Sequence, residues 1–281
     1  MMNTAPAGLV TDIVARTLAE DLGGRGDVTT LATIPADATA EFDIVAREAG
    51  VLAGRQAACE VFTQIDPAIV SNWRHGDGAR IEAGDVVSRL SGPARSLLTA
   101  ERAALNFLGR MSGIATLTRA YVDAIEGTGA VIAHTRKTTP GLRALELQAV
   151  KAGGGASHRY GLDDAILIKD NHVAVCGSVA EAVRRARGFA GHMTRVAVEI
   201  DRLDQLDEAL AAGAESVLLD NFPLEDLRAA VAAAKGRAAL EASGGVNLGT
   251  ARAIAGTGVD VISVGALTHS APNFDVGLDA V

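Results

Sequence analysis

Ser216–Ala234 (SVLLDNFPLEDLRAAVAAA) is the stretch whose reading decides the fold. Ser216–Asp220 is a short apolar run ending in an acid, the length of a buried strand, and Leu224–Ala234 follows as a helical pattern. The same beat repeats on both sides. Upstream, Arg195–Asp201 (RVAVEID) reads as a strand and Leu203–Ala212 as an amphipathic helix. Downstream, Ala238–Ser243 is a third strand, Leu248–Ala255 its helix, and Val259–Val264 a fourth strand. Val131–Thr135 and Ala165–Lys169 read as two earlier strands of the same sheet. Short apolar runs alternating with helical patterns are the signature of βαβ units, whose right-handed crossovers build a parallel sheet or barrel. Six strands fall short of the eight of a closed barrel, so an open and an incomplete barrel both stay in play.

The strand exits carry the chemistry. Glu199, Asp220, Ser243-Gly244-Gly245 and Gly265 end successive strands at spacings of 21, 23 and 22 residues. Arg136-Lys137 and Lys169 also stand at strand C-termini, and in α/β barrels those ends line the active site. For any single residue, a polar exit is simply where a loop begins. The set says more, because cations leave on one side and acids on the other.

Charge is distributed unevenly. The chain carries −8 overall, yet residues 134–172 hold six Lys/Arg (136, 137, 143, 151, 159 and 169) against four Asp/Glu. That window is net +2, and three of the six histidines fall in it. Cations concentrated inside an acidic whole point to a small, heavily anionic ligand. An acidic total without a basic run argues against nucleic acid, and no apolar run approaches a membrane span. Met1 to Gly8 lacks the features of a signal peptide. Cys59 and Cys176 are too few for a disulfide framework or a structural zinc site and read as small buried residues, which places the chain in the cytoplasm. Apolar residues make up 48% and aromatics 3%, so the core is mostly Ala, Val, Leu and Ile, as suits parallel strands under Ala-rich helices.

The first 110 residues differ. Thr11–Glu20 reads as a short helix, and 41–54 and 79–90 as Gly-broken strand patterns, which together suggest a small α+β domain. A long helical stretch from Ser96 to Glu126, with an expected break near Ser112-Gly113, bridges it to the barrel.

Arginine forks bind carboxylates or phosphates with two parallel bonds, and lysine adds a point charge. Arg136, Lys137, Arg159 and Lys169 therefore suggest a substrate with several carboxylates or a pyrophosphate; solvated surface charge is the plainer alternative. Glu199 and Asp220 fit one shared magnesium, or a general acid/base pair; Asp220 could also cap the following helix. Ser243-Gly244-Gly245 and Val264-Gly265-Ala266 let backbone amides approach a phosphate, with His269 following. Gly153-Gly154-Gly155 is not a dinucleotide fingerprint, since no ribose-binding acid accompanies it.

With these residues in hand, the chain resembles the quinolinate phosphoribosyltransferase family almost end to end. The resemblance rests on Glu20-Asp21-Leu22-Gly23, Gly26-Asp27-Val28-Thr29, Ala100–Asn106, Met111–Thr116, Thr135-Arg136-Lys137-Thr138, His158-Arg159, Ile168-Lys169-Asp170-Asn171-His172, Leu219-Asp220-Asn221 and Val264–Thr268. It implies an α/β fold, an open α/β barrel with an N-terminal α/β sandwich domain, divided as residues 1–112 and 113–281, with the last residues packing back on the N-terminal domain. It implies a homodimer or higher oligomer with the active site shared across subunits. The implied reaction takes quinolinate and phosphoribosyl pyrophosphate to nicotinate mononucleotide, pyrophosphate and carbon dioxide, with magnesium. Carried over residue by residue, Arg136, His158, Arg159 and Lys169 grip the quinolinate carboxylates, and Arg102 joins them from the neighbouring subunit. Thr135 is a further substrate-binding residue, Lys137 contacts the phosphoribosyl pyrophosphate, and Glu199 and Asp220 hold the magnesium. Ser243, Gly244, Gly245, Gly265 and His269 surround the 5′-phosphate. Lys137, Lys169, Glu199 and Asp220 are the catalytic set.

The chain departs from the family pattern at Ser157, where asparagine is usual, and at Leu147-Gln148, where lysine and tyrosine are common. A group linked to molybdate transport shares Thr-Arg-Lys-Thr-Thr-Pro-Gly but typically lacks Ile-Lys-Asp-Asn-His, which is intact here. A Schiff-base aldolase using Lys137 or Lys169 would leave the paired acids and glycine exits unexplained. A non-catalytic anion-binding relative is the third reading.

Overall fold

A computed structural model describes residues 5–281, so part of the Met1 to Gly8 reading lies outside the described residues. In chain order the elements are α1 (Ala7–Leu22), α2 (Val28–Thr33), β1 (Thr39–Ala46), β2 (Gly50–Val51), α3 (Arg55–Ile65), β3 (Val70–Trp73), β4 (Arg80–Ile81), β5 (Val86–Pro93) and α4 (Ala94–Ala124). There follow β6 (Val131–Ala133), α5 (Arg143–Ala152), β7 (Ile166–Ile168), α6 (Asp170–Cys176), α7 (Val179–Phe189), β8 (Val196–Ile200) and α8 (Gln205–Ala211). The chain closes with β9 (Ser216–Asp220), α9 (Leu224–Ala234), β10 (Ala239–Ser243), α10 (Leu248–Ala255), β11 (Val261–Ser263), α11 (Ala266–His269) and β12 (Val276–Ala280). Two compact units result: Met1–Arg119 with Thr138–Gly154 and Ala266–Val281, and Ala120–Lys137 with Gly155–Gly265.

The first unit is built on an antiparallel sheet of order β12-β1-β5-β3, with a small β2-β4 pair. β12 pairs with β1 from Phe42↔Ala280 to Ala46↔Val276, so the last strand completes a sheet begun near the start of the chain. Leu97, Leu108, Met111 and Ile114 of α4 are fully buried. Burial of side chains this size stabilises by roughly 1.5–3 kcal/mol each.

The expected break at Ser112-Gly113 is absent: α4 runs unbroken. Both residues serve close packing instead. Ser112 Oγ accepts from the Ala53 amide at 3.0 Å, and a Cβ at Gly113 would stand 1.9 Å from the Pro272 carbonyl oxygen. Glycine costs about 1 kcal/mol in a helix interior, and here only glycine leaves room for that carbonyl.

Arg110 and Glu146 tie this unit together. Glu146 is completely buried, and its Oε1 takes Arg110 Nη2 at 2.8 Å and Thr139 Oγ1 at 2.7 Å. Arg110 also donates to the carbonyls of Ala271 and Thr268. The departures beside Glu146 are part of the packing: Leu147 is buried and Gln148 Oε1 accepts from the Ala5 amide.

The second unit is a six-stranded, wholly parallel sheet of order β6-β11-β10-β9-β8-β7. β6 and β7 lie at its two edges and do not pair with each other, so the barrel is open. All six expected strands are present, each within a residue or two of its expected limits at either end.

Alternation along these strands separates core from cavity. Val196, Val198 and Ile200 of β8 are buried, whereas Ala197 and Glu199 between them are half-buried. Registration puts Glu199, Leu218 and Glu241 at one level across β8, β9 and β10, and Asp220 beside Ser243 two residues further on.

Candidate active site

The strand ends of the second unit open on a cavity of about 540 Å³. Thr135, Arg136, Lys137, His158, Arg159, Lys169, Glu199, Asp220, Ser243, Gly244 and Gly245 all line it. Leu167, Leu218, Asn221, Glu241 and Ser263 complete its wall.

Each cation is held by local geometry. Thr135 Oγ1 accepts from the Lys137 amide at 3.1 Å, a hydroxyl turn that fixes the chain just past β6. Lys169 caps α6, and its amide donates to His172 Nδ1 at 3.0 Å. The histidine of the Ile-Lys-Asp-Asn-His motif is thus a brace for the lysine. Lys169 Nζ meets Glu199 Oε2 at 2.6 Å. Arg159 Nε is buried without a hydrogen-bond partner, and burial, then the neighbouring Arg136 charge, lowers the Arg159 pKa. Two guanidinium groups that repel each other at the wall of a cavity favour an anion between them.

Two histidines form a backing pair. His134 is buried, its Nε2 accepts from the His158 amide at 3.0 Å, and its Nδ1 lies 3.3 Å from the Thr135 carbonyl oxygen. The Arg159 amide donates to His158 Nδ1 at 2.8 Å, which leaves the proton of the neutral ring on Nε2, 3.4 Å from Glu241 Oε2. Sequence reading missed Glu241 and Ser263. Both were within reach of the period-two rule: Glu241 precedes Ser243 by two on the same strand, and Ser263 ends the next strand.

The acids stand clear of helix capping. α9 is preceded by Pro223 with no side-chain cap, so Asp220 is not its N-cap residue. Asp220 Oδ2 instead accepts from Asn221 Nδ2 at 2.9 Å. Glu199 and Asp220 also line a second hollow of about 290 Å³. Among the described residues no group of three or more His, Cys, Asp and Glu is arranged as a metal cluster.

Gly244 and Gly245 adopt φ of +88° and +61°, backbone that side chains rarely take. A Cβ on Gly244 would fall 2.1 Å from Asn221 Oδ1. Asn221 itself sits at φ 57° with its amide donating to the Ser243 carbonyl, so two strained turns interlock at this corner of the cavity.

The remaining expected residues lie elsewhere in the chain. Gly265 is the last residue of the second unit and does not line the cavity. Arg102 and His269 belong to the first unit. Arg102 is exposed on α4, 3.8 Å from Glu101, and His269 Nδ1 lies 2.6 Å from Ser270 Oγ. Ser157 is exposed and outside the cavity wall, and both cysteines are free and half-buried.

An open parallel barrel whose mouth sets a cation cluster against paired acids and a glycine turn is the site of an enzyme acting on small polyanions. Residues 27–112 match the family described as Quinolinate phosphoribosyl transferase, N-terminal domain, and residues 114–279 its C-terminal domain. The chain belongs to the quinolinate phosphoribosyltransferase family. It is 49% identical over 274 residues to the nicotinate-nucleotide pyrophosphorylase [carboxylating] of Mycobacterium leprae, covering 95% of this chain and 96% of that one. It is 45% identical to a probable enzyme of the same name from Bacillus subtilis, over 92% and 89% of the two chains. Its fold matches the structure of the nicotinate-nucleotide pyrophosphorylase from Francisella tularensis with a TM-score of 0.96 at 40% identity, covering 100% and 99% of the chains.

Proposed function

We infer that the chain transfers the phosphoribosyl group of phosphoribosyl pyrophosphate to quinolinate with decarboxylation, giving nicotinate mononucleotide, pyrophosphate and carbon dioxide in NAD biosynthesis. The observation that carries this is one cavity lined by Arg136, Arg159 and Lys169, by Glu199 and Asp220, and by the Ser243-Gly244-Gly245 turn, in a chain of this family.

Arg136, His158, Arg159 and Lys169 grip the two quinolinate carboxylates. A dianion between Arg136 and Arg159 relieves their repulsion, and the Arg159 Nε gains the partner it lacks. Thr135 and Lys137 face the phosphoribosyl pyrophosphate. Ser243, Gly244 and Gly245 receive its 5′-phosphate. Arg102 completes the site from a second copy in a homodimer; its side chain is 64% exposed.

Glu199 and Asp220 fit a magnesium ion. Magnesium takes one or two carboxylates and fills its shell from water and substrate phosphates, and two acids on an open cavity supply that donor set. Bound there, it supplies positive charge that offsets the charge developing on the pyrophosphate. Lys137 adds a second positive charge at the same place.

The pyridine nitrogen forms its bond to ribose C1 as the C1–oxygen bond to pyrophosphate breaks. The ring nitrogen, now positive, draws in the electron pair of the bond to the adjacent carboxylate. Carbon dioxide leaves, and a solvent proton takes its place on the ring. Arg136, Arg159 and Lys169 hold the ring in line with C1, so positioning and electrostatics carry most of the rate. We assign the reaction to the cytoplasm, on the acidic composition and the two free cysteines. Among the described residues no helix is long and apolar enough to cross a membrane.

The test is nicotinate mononucleotide formation from quinolinate and phosphoribosyl pyrophosphate, with and without magnesium, and with nicotinate as the alternative acceptor. Magnesium-dependent product from quinolinate alone is expected. Product without magnesium, or from nicotinate at the same rate, contradicts the reading.

A further inference from the structure

Glu241 has no part in the roles assigned so far. It is 7% exposed, lies on the cavity wall, and its Oε1 has no hydrogen-bond partner. A buried carboxylate oxygen without a donor costs free energy, so its presence in a site calls for a donor on the ligand.

The substrates offer few. Quinolinate is a dianion whose nitrogen must be unprotonated to attack, and pyrophosphate presents acceptors only. The ribose hydroxyls are the donors. Position selects between them. Glu241 Oε2 lies 3.4 Å from His158 Nε2, on the side of the aromatic acid. Ser243, at the phosphate turn, lies two residues further along β10, about 6.6 Å up the same face. Glu241 therefore stands between the two substrates, where the new bond to ribose C1 forms, and the hydroxyl beside C1 is the 2′-hydroxyl.

We propose that Glu241 Oε1 accepts a hydrogen bond from the 2′-hydroxyl of the phosphoribosyl group, while its Oε2 holds His158 in the Nε2–H tautomer. This rests on the substrate assignment above. The contact suits the chemistry, because a hydrogen bond from the 2-hydroxyl strengthens as the neighbouring carbon becomes cationic.

The experiment measures the affinity of nicotinate mononucleotide and of its 2′-deoxy form for the wild type and for Glu241→Leu, an apolar side chain without acceptors. The wild type is expected to bind the deoxy form roughly 10- to 100-fold more weakly, the worth of a hydrogen bond to a charged group. In Glu241→Leu the two nucleotides should bind alike. Should that variant fail to fold, Glu241→Gln is used, with the discrimination expected to fall several-fold. Discrimination as large in the variant as in the wild type overturns the proposal. Lys169→Ala and Arg159→Ala, measured with the same nucleotide, separate the two levels. Weakened binding in both with unchanged discrimination in Glu241→Leu removes only Glu241's role. Unchanged binding in both removes the site assignment itself.

Discussion

Lys169 Nζ stands 2.6 Å from Glu199 Oε2 across the neighbouring ends of β7 and β8. In the free protein the cation assigned to a quinolinate carboxylate and the acid assigned to magnesium thus neutralise each other. On the roles proposed above, substrate and metal would separate them, and each charge would gain a partner of its own.

Lys169→Met is accordingly expected to act in opposite directions on the two ligands. Glu199 loses its competing cation, so the free protein should bind a divalent cation several-fold more tightly by calorimetry. Quinolinate loses a charge-assisted contact, and turnover should fall by about 10²-fold or more. Unchanged cation affinity would mean that Glu199 is not a metal ligand.

Arg102 provides the test of the shared site. Arg102→Ala and Lys169→Ala homo-oligomers should each be nearly inactive. Mixed subunits should recover activity, because one of the two hybrid sites carries neither substitution. Confirmed hybrids without activity would place Arg102 outside its neighbour's site.

Much of this site was legible in the sequence because strands buried on one face must alternate. The exits at Glu199, Asp220 and Ser243 follow from the βα beat, and Arg136, Lys137, Arg159 and Lys169 from charge confined to one window. Glu241 escaped because an acid inside a strand reads as a break in an apolar run, although it stands two residues before Ser243 on the same face. Gly113 was misread for a different reason. Mid-helix glycine signals a break or a close approach alike, and only the Pro272 carbonyl distinguishes them. β12 pairs with β1 across more than two hundred residues, and such pairing leaves no local signal from which its strand could be read.

Arg110 carries a prediction about stability. Arg110→Ala strands a fully buried Glu146, and about 3–5 kcal/mol of unfolding free energy should be lost in a urea titration. The double variant Arg110→Met with Glu146→Leu should recover most of it. A loss under 1 kcal/mol in the single variant would show that the remaining donors to Glu146 suffice.

Asp164 sets an acid limit on the loop that carries Arg159. Burial works to raise its pKa from 3.8, but the amides of Tyr160 and Gly161, at 2.6 and 3.0 Å, outweigh this and, with Arg159, hold it lower. A depressed carboxyl contributes stability above its unfolded pKa and loses it as pH falls through its folded value. The stability gap between wild type and Asp164→Asn should therefore be constant at neutral pH and close below about pH 4. A gap that persists at lower pH contradicts the assignment.

The most direct test of the central claim follows quinolinate labelled in the carboxylate beside the ring nitrogen. With phosphoribosyl pyrophosphate and magnesium, labelled carbon dioxide, pyrophosphate and nicotinate mononucleotide should form in equal amounts, at a rate about 10²-fold or more lower in Lys169→Ala. Pyrophosphate released without labelled carbon dioxide would contradict the account.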